Sequence, residues 1–267
     1  MNHIEKSISL IQKLETKEVY NLGFSGGKDS VVLLDLTKKA GVKFNAIYAN
    51  TTIDPKGTIS FIKKNYPEVQ ILHPPKSFYK LVEEKGLPSR KRRWCCDVLK
   101  ERYGIGKRSL EGMRKEESKN RENYDPEQCD SRKSMKGAIH VLPLLNWTDT
   151  QIWDYIHENK LPYSKYYDNP YNLKRHGCIG CPLSSKNIMR YEFQLFPSRA
   201  LALIRTIKKH MDLKPNNYIS RNFENEYEAF YFYVVEISMN DFKELKNSMF
   251  HPNFKEFIGE YLKIKLK

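Results

Sequence analysis

Apolar residues recur at Ile4, Ile8, Ile11 and Leu14, the spacing of one helical face, and predict an amphipathic helix over 1–16. The pattern then changes. Residues 18–24 read as a buried strand running into Ser25-Gly26-Gly27-Lys28-Asp29-Ser30, and Val31-Val32-Leu33-Leu34-Asp35-Leu36 opens a helix that stops near Gly41. A strand at Phe44–Ala49, a helix near 57–65, a short strand over 69–72 and a helix over 77–85 continue the alternation. Strands alternating with helices imply an α/β fold, a doubly wound parallel sheet covered on both faces. Residues 114–136 are nearly devoid of aliphatics and rich in Lys, Glu, Asn and Asp, so most of them are expected to form a mobile loop. A strand returns over 138–142, and Thr148 or Asp149 caps a helix ending near Glu158. From Pro182 the pattern is helical without strands. The predicted organisation is an α/β domain over 1–185 and a C-terminal helical region over 186–267.

Composition narrows the class. A hydrophobic share of 40% and an aromatic share of 12% supply a core and exclude a wholly disordered chain. No stretch approaches the roughly 18–20 apolar residues of a membrane span. The opening Met1-Asn2-His3-Ile4-Glu5-Lys6 lacks the apolar run and small-residue cleavage site of a secretory signal, so a cytoplasmic chain is expected. Five cysteines are too few and too oddly spaced for a disulfide scaffold and read as metal or redox residues in a reducing compartment. The net charge of +14 fits a polyanionic partner, and equally a surface that is merely rich in lysine.

The glycine-rich turn lies where open α/β sheets bind ligands, between a strand's C-terminal end and a helix N-terminus. Gly26 and Gly27 let a phosphate approach the backbone, whose N–H groups and helix dipole favour an anion. Ser25 and Ser30 add hydroxyls, and Lys28 adds charge. Asp29 tolerates a polyphosphate if Mg²⁺ bridges the two or if it bonds to the loop itself. The turn reads as exposed and as contributing little to the core. It is neither a P-loop, since Lys28 is followed by Asp29, nor a dinucleotide fingerprint.

Cys95 and Cys96 are adjacent, and Cys178 and Cys181 form a C-x-x-C turn. Such a turn places two thiolates on one metal or cluster. Neighbouring cysteines are awkward ligands for a single tetrahedral zinc, and a larger cluster relaxes that geometry. Zinc and unliganded thiols remain the alternatives. Cys129, in the polar loop, reads as a plain exposed thiol or, more sharply, as a sulfur relay. Trp94 and Trp147 read as core or cluster-covering aromatics rather than stacking platforms.

Ser25-Gly26-Gly27-Lys28-Asp29-Ser30 resembles the pyrophosphate loop of the PP-loop ATP pyrophosphatases, the adenine nucleotide α-hydrolase-like superfamily. Three further segments resemble its phosphoadenosine-phosphosulfate (PAPS) reductase group: Gly112-Met113-Arg114-Lys115-Glu116-Glu117-Ser118-Lys119-Asn120-Arg121; Pro143-Leu144-Leu145-Asn146-Trp147-Thr148-Asp149 with Ile152-Trp153-Asp154-Tyr155-Ile156; and His176-Gly177-Cys178-Ile179-Gly180-Cys181-Pro182. The likeness spans residues 18–185 in the family's order. It implies that Ser25, Gly26, Gly27 and Ser30 hold a pyrophosphate, that Lys28 neutralises it and that Asp29 orients Mg²⁺. Ala49, Asn50 and Thr51 would meet the adenosine edge. Arg114 and Arg121 would clamp phosphate or acceptor, with Glu117 holding one of those arginines. The four cysteines Cys95, Cys96, Cys178 and Cys181 resemble the 4Fe-4S ligands of adenylylsulfate reductases and of DNA-sulfuration ATP pyrophosphatases.

Reductases of this group carry a cysteine in a C-terminal tail and a degenerate loop. Here the loop is complete and no cysteine follows Cys181. The resemblance therefore implies an enzyme that splits ATP between its α and β phosphates, adenylating an acceptor that sulfur then attacks. DNA is favoured over tRNA as that acceptor, as in DNA phosphorothioation, with a cysteine desulfurase or other sulfur donor as partner. The alternatives are an assimilatory sulfonucleotide reductase and a nucleic-acid-binding redox module with a vestigial ATP site. The run Arg90-Lys91-Arg92-Arg93 is what suggests the last.

Overall fold

The computed structural model describes residues 2–248, 252–264 and 266; Met1, Met249, Phe250, His251, Lys265 and Lys267, assigned above to the first helix and the C-terminal region, lie outside the described residues. The chain opens with α1 (His3–Lys13), β1 (Tyr20–Gly23), α2 (Lys28–Ala40), β2 (Phe44–Ala49), α3 (Thr58–Asn65) and β3 (Gln70–Leu72). Next come α4 (Phe78–Lys85), α5 (Trp94–Leu99), β4 (Arg108–Leu110), β5 (Glu127–Cys129), β6 (Ile139–Val141) and α6 (Asp149–Glu158). The helices α7 (Lys186–Leu195), α8 (Pro197–Leu213), α9 (Tyr218–Asn222), α10 (Glu226–Val234), α11 (Met239–Asn247) and α12 (Phe254–Leu262) complete it.

Two compact units result: Met1–Pro74 with Cys96–Gly177, and Pro75–Cys95 with Cys178–Lys267. The first holds a six-stranded sheet in the order β3-β2-β1-β4-β6-β5 with helices on both sides. Every neighbouring pair is parallel except β5 with β6. The sheet is thus mixed at one edge rather than wholly parallel. Connections run outward in opposite directions from β1, which pairs with both β2 and β4. Such a reversal opens a crevice at the strands' C-terminal ends, where open sheets take their ligands. Tyr20, Leu22 and Phe24 are buried around β1, and α2 buries Val31, Val32, Leu33, Leu34 and Leu36, so the helix behind the turn is anchored almost all round.

The expected mobile loop over 114–136 is instead built of short 3₁₀ turns, Lys115–Glu117, Lys119–Arg121 and Lys133–Met135, and the edge strand β5. Polar contacts replace the missing aliphatics. Arg132 donates from Nε to Asp130 Oδ1 at 2.9 Å, and its hydrogen bonds hold the Asp130 carboxyl well below the usual carboxylate range. His140 on β6 lies between Glu111 (Nδ1 to Oε1, 2.8 Å) and Asp130 (Nε2 to Oδ2, 3.0 Å). The Glu111 hydrogen bond foremost, against burial, raises its imidazolium to about 9. Its folded value lies above its unfolded one, so the stabilisation is complete below about pH 6.5 and is lost as pH climbs through 9. Urea unfolding at pH 6 and 9.5 should show the parent's advantage over His140→Ala shrinking at the higher pH; an advantage independent of pH would refute a charged His140.

In the second unit α4 packs on α8, and α10 packs on α7, α8 and α12. The segment Pro75–Cys95, placed above with the α/β part by chain order, belongs to this unit. Phe78, Leu81 and Val82 of α4 are buried, and His210 Nδ1 on α8 meets the Glu83 carbonyl at 2.7 Å. Trp94 is buried and stacks on Phe78 with ring centroids 5.8 Å apart, a core residue rather than an exposed platform. Phe193, Phe230, Phe242 and Ile258 are fully enclosed at the centre of the helices. No described helix is long and apolar enough to cross a membrane.

Candidate active site

The turn after β1 is bonded to itself. Ser30 Oγ receives the Ser25 N–H at 3.2 Å and donates to the Gly27 carbonyl at 2.8 Å, while the Gly27 N–H donates to Ser25 Oγ at 3.2 Å. Gly26, Gly27, Lys28 and Ser30 are buried. The turn therefore contributes to the packed interior, contrary to the exposed loop expected, because α2 draws its first residues inside.

A charge network around the buried Arg114 guanidinium lies beside it. Arg114, 2% exposed, donates from Nε to Asp29 Oδ1 at 2.5 Å, from one terminal nitrogen to Asp149 Oδ1 at 2.7 Å and from the other to Glu116 Oε2 at 2.8 Å. Lys28 Nζ lies 3.1 Å from Asp149 and 3.6 Å from Asp29. Burial works against ionisation of Asp149, but Lys28 and Arg114 outweigh it and hold its carboxyl below the usual range. Gly112 makes this closure possible: a Cβ there would stand 3.2 Å from the Asp29 carbonyl, so a side chain would push the Arg114 strand end off the turn. Glu117 pairs with Arg121 and accepts the Arg114 N–H at 3.2 Å. Arg114 and Arg121 thus arrive at the site already paired with carboxylates.

At the end of β2 the Asn50 N–H donates to the Leu72 carbonyl at 2.9 Å, extending the ladder past Ala49. Thr51 is buried, and its N–H reaches Asp54 Oδ2 at 3.3 Å, which also accepts the Tyr48 hydroxyl at 2.6 Å. Thr52 sits at φ 65°, an uncommon conformation for a β-branched residue. Such strain concentrates at functional sites.

Tyr167 and His176 were not singled out in the sequence and close the turn from outside. The Tyr167 hydroxyl accepts the N–H of Lys28 at 3.0 Å and of His176 at 3.2 Å. Burial pushes the His176 imidazolium down to about 4, leaving the ring neutral at pH 7. Thr58 Oγ1 donates to the Pro55 carbonyl, so it accepts from His176 Nε2 at 3.0 Å. His176 Nδ1 is then a buried acceptor with no partner among the described residues. Tyr167→Phe removes the one oxygen serving both backbone donors, and each orphaned donor costs about 1–3 kcal/mol. Urea unfolding should show a loss of about 2–6 kcal/mol for the variant, the sum over the two donors; parental stability would mean that water replaces the hydroxyl at no cost.

Cys178 and Cys181 flank the 178–181 turn of the second unit, half-buried, as are Cys95 and Cys96, while Cys129 is exposed on β5. Tyr233 is enclosed beside that turn, and its hydroxyl is driven well above its ordinary value by burial foremost, then by the charges of Cys181, Cys95 and Cys178. Among the described residues no three His, Cys, Asp or Glu side chains are grouped to hold a metal ion. Arg90, read above as part of a basic patch, donates to the carbonyls of Pro182 and Ser184 at 3.2 Å each, and so braces the chain after Cys181.

Comparison with known proteins agrees with the motifs. A family model for the phosphoadenosine phosphosulfate reductase domain matches residues 20–184. The chain is 33% identical over 195 residues to an uncharacterized protein of Methanocaldococcus jannaschii, covering 67% of this chain and 46% of that protein. It is 31% identical over 178 residues to adenosine 5′-phosphosulfate reductase of Oceanobacillus iheyensis, covering 62% of this chain and 71% of that one. Phosphoadenylyl-sulfate reductase of Candida auris, solved as a phosphate complex, superimposes with a TM-score of 0.49 at 19% identity, covering 65% of this chain and 88% of that one. The chain spans less than half the length of the M. jannaschii relatives it matches.

Proposed function

The chain belongs to the phosphoadenosine phosphosulfate reductase domain family, and from that premise we propose that it binds ATP at the 25–30 turn and cleaves it between the α and β phosphates to adenylate an acceptor for sulfur transfer. The supporting observation is the charge balance beside the turn. Lys28 and Arg114 are matched there by Asp29, Asp149 and Glu116, so a polyphosphate finds no uncompensated protein cation and must bring its own. Mg²⁺ would meet that need, and Asp29 and Asp149 are the carboxylates that would hold it.

In this reading Ser25, Gly26, Gly27 and Ser30 orient the pyrophosphate, and Lys28 and Arg114 stabilise charge as it leaves. Ala49, Asn50 and Thr51 receive the adenosine edge. An acceptor oxygen attacks the α-phosphorus, the bond to the bridging oxygen breaks, and pyrophosphate departs. Persulfide sulfur from a cysteine desulfurase or similar donor then displaces AMP, leaving an acceptor–S–S–cysteine bond that a second thiol cleaves, the two thiols departing as a disulfide and the sulfur staying on the acceptor. Positioning and charge neutralisation carry the rate. The +14 charge suits a polyanionic acceptor, and the likeness to DNA-sulfuration ATP pyrophosphatases is what places DNA before tRNA.

The cysteines fit an iron–sulfur cluster better than a single ion. Their donors are all thiols, arranged as a C-x-x-C turn and a vicinal pair, and adjacent thiols are awkward ligands for one tetrahedral ion. Cys95, Cys96, Cys178 and Cys181 would hold it, and when bound it would supply a structural or one-electron centre.

A second reading, reduction of adenosine 5′-phosphosulfate, is favoured by the relatives that bear that name at about 30% identity. One assay separates the two. Anaerobic protein given Mg²⁺-ATP with nucleic acid should release pyrophosphate and AMP, and Ser30→Ala should abolish this. Sulfite release from adenosine 5′-phosphosulfate with a thiol reductant, without pyrophosphate release from ATP, would overturn the first reading in favour of the second.

A further inference from the structure

Gly180 of the C-x-x-C turn is held through both of its flanking peptides by buried side chains. The Gly180 N–H donates to Glu192 Oε2 at 2.8 Å, and the Gly180 carbonyl accepts the Tyr233 hydroxyl at 2.9 Å. Glu192 is 3% exposed and Tyr233 8%. Tyr233 is itself fixed: Lys186 Nζ donates to its carbonyl and stands 5.4 Å from its ring centroid. Beneath the turn lies the Phe193 ring, which allows no side chain at position 180. All these residues lie on one compact unit with Cys95, Cys178 and Cys181.

A carboxylate is a costly group to bury beside thiols that ionise when they bind metal, because like charges oppose each other at low dielectric. A backbone N–H could have been satisfied by a neutral acceptor at less cost. The arrangement makes physical sense if the turn must keep one shape before and after metal enters, and if negative charge near the sulfurs is useful. We propose that Glu192 and Tyr233 are positioning residues that clamp Gly180, pre-order Cys178 and Cys181 for the iron–sulfur cluster, and through Glu192 lower its reduction potential. This rests on the iron–sulfur reading above. Groups outside the ligand shell act in this way by fixing ligand orientation and local charge, and their loss costs about 10- to 100-fold in metal affinity.

The test is anaerobic reconstitution of the full chain with ferrous iron and sulfide, for the parent, Tyr233→Phe and Glu192→Gln. Iron per chain, the rate at which a ferrous chelator strips it, and the midpoint potential are then measured. Both variants should lose iron about 10- to 100-fold faster than the parent, and Glu192→Gln should shift the midpoint upward, an effect that a merely structural role would not produce. Should Glu192→Gln fail to fold, Tyr233→Phe carries the test, since it removes one oxygen and keeps the ring. Variants that hold the cluster with parental release rate and potential would overturn the clamp while leaving the iron–sulfur reading intact. A parent that takes up no iron would overturn that reading first, and the clamp with it.

Discussion

Arg114→Ala should destabilise the first unit by about 3–5 kcal/mol, the cost of breaking a buried ion pair from one side, and should abolish nucleotide turnover. The guanidinium is 2% exposed and is the shared partner of Asp29, Asp149 and Glu116. Removing it leaves Asp29, the least exposed of the three carboxylates, facing Lys28 alone at 3.6 Å. Asp149 and Glu116 are half exposed, and solvent screens much of their share. Lysine should not rescue the site, because one ammonium cannot replace a planar fork bonded to three carboxylates. Arg114→Ala/Asp29→Asn should recover part of the loss, since the double change also removes the stranded charge, and such non-additivity is what a shared network produces. Urea unfolding of the single and double variants measures this. A loss below about 1 kcal/mol would place Arg114 among ordinary surface pairs.

Gly180→Ala should be the most damaging single-methyl change in the second unit. A Cβ at that position would come 2.2 Å from Phe193 Cζ and 2.8 Å from Cε2, and the backbone sits at φ 69°. Overpacking costs about 1–3 kcal/mol, and a non-glycine residue in the left-handed region about 1–2 kcal/mol more. Phe193 cannot retreat, since it is fully buried and packs on Phe230 at 5.4 Å between ring centroids. Thermal unfolding should show a large drop for Gly180→Ala, partly recovered in Gly180→Ala/Phe193→Leu. A variant as stable as its parent would mean that the turn has room the structure denies it.

The glycine-rich turn, the strand before it and the helix after it were legible in the chain, because an apolar run, two glycines and a second apolar run dictate that order locally. Phe44–Ala49 was readable to the residue because aromatic and aliphatic residues follow one another there with only Asn45 between them, although only Ala46 and Tyr48 are buried. Other features depend on contacts between residues far apart in sequence, which local pattern does not encode. β4 has three residues and β5 is an edge strand stabilised by charged side chains, so neither carries an apolar signature. Thr148 or Asp149 read as the helix cap; Thr148 takes that role, and Asp149 turns to Lys28 and Arg114 across gaps of more than thirty residues. Tyr167 became part of the site by meeting the Lys28 backbone from 139 positions away. Even the division of the chain was tertiary: α4 follows a strand in sequence, but its apolar face finds α8, and burial of that face rather than chain order decides which unit it joins.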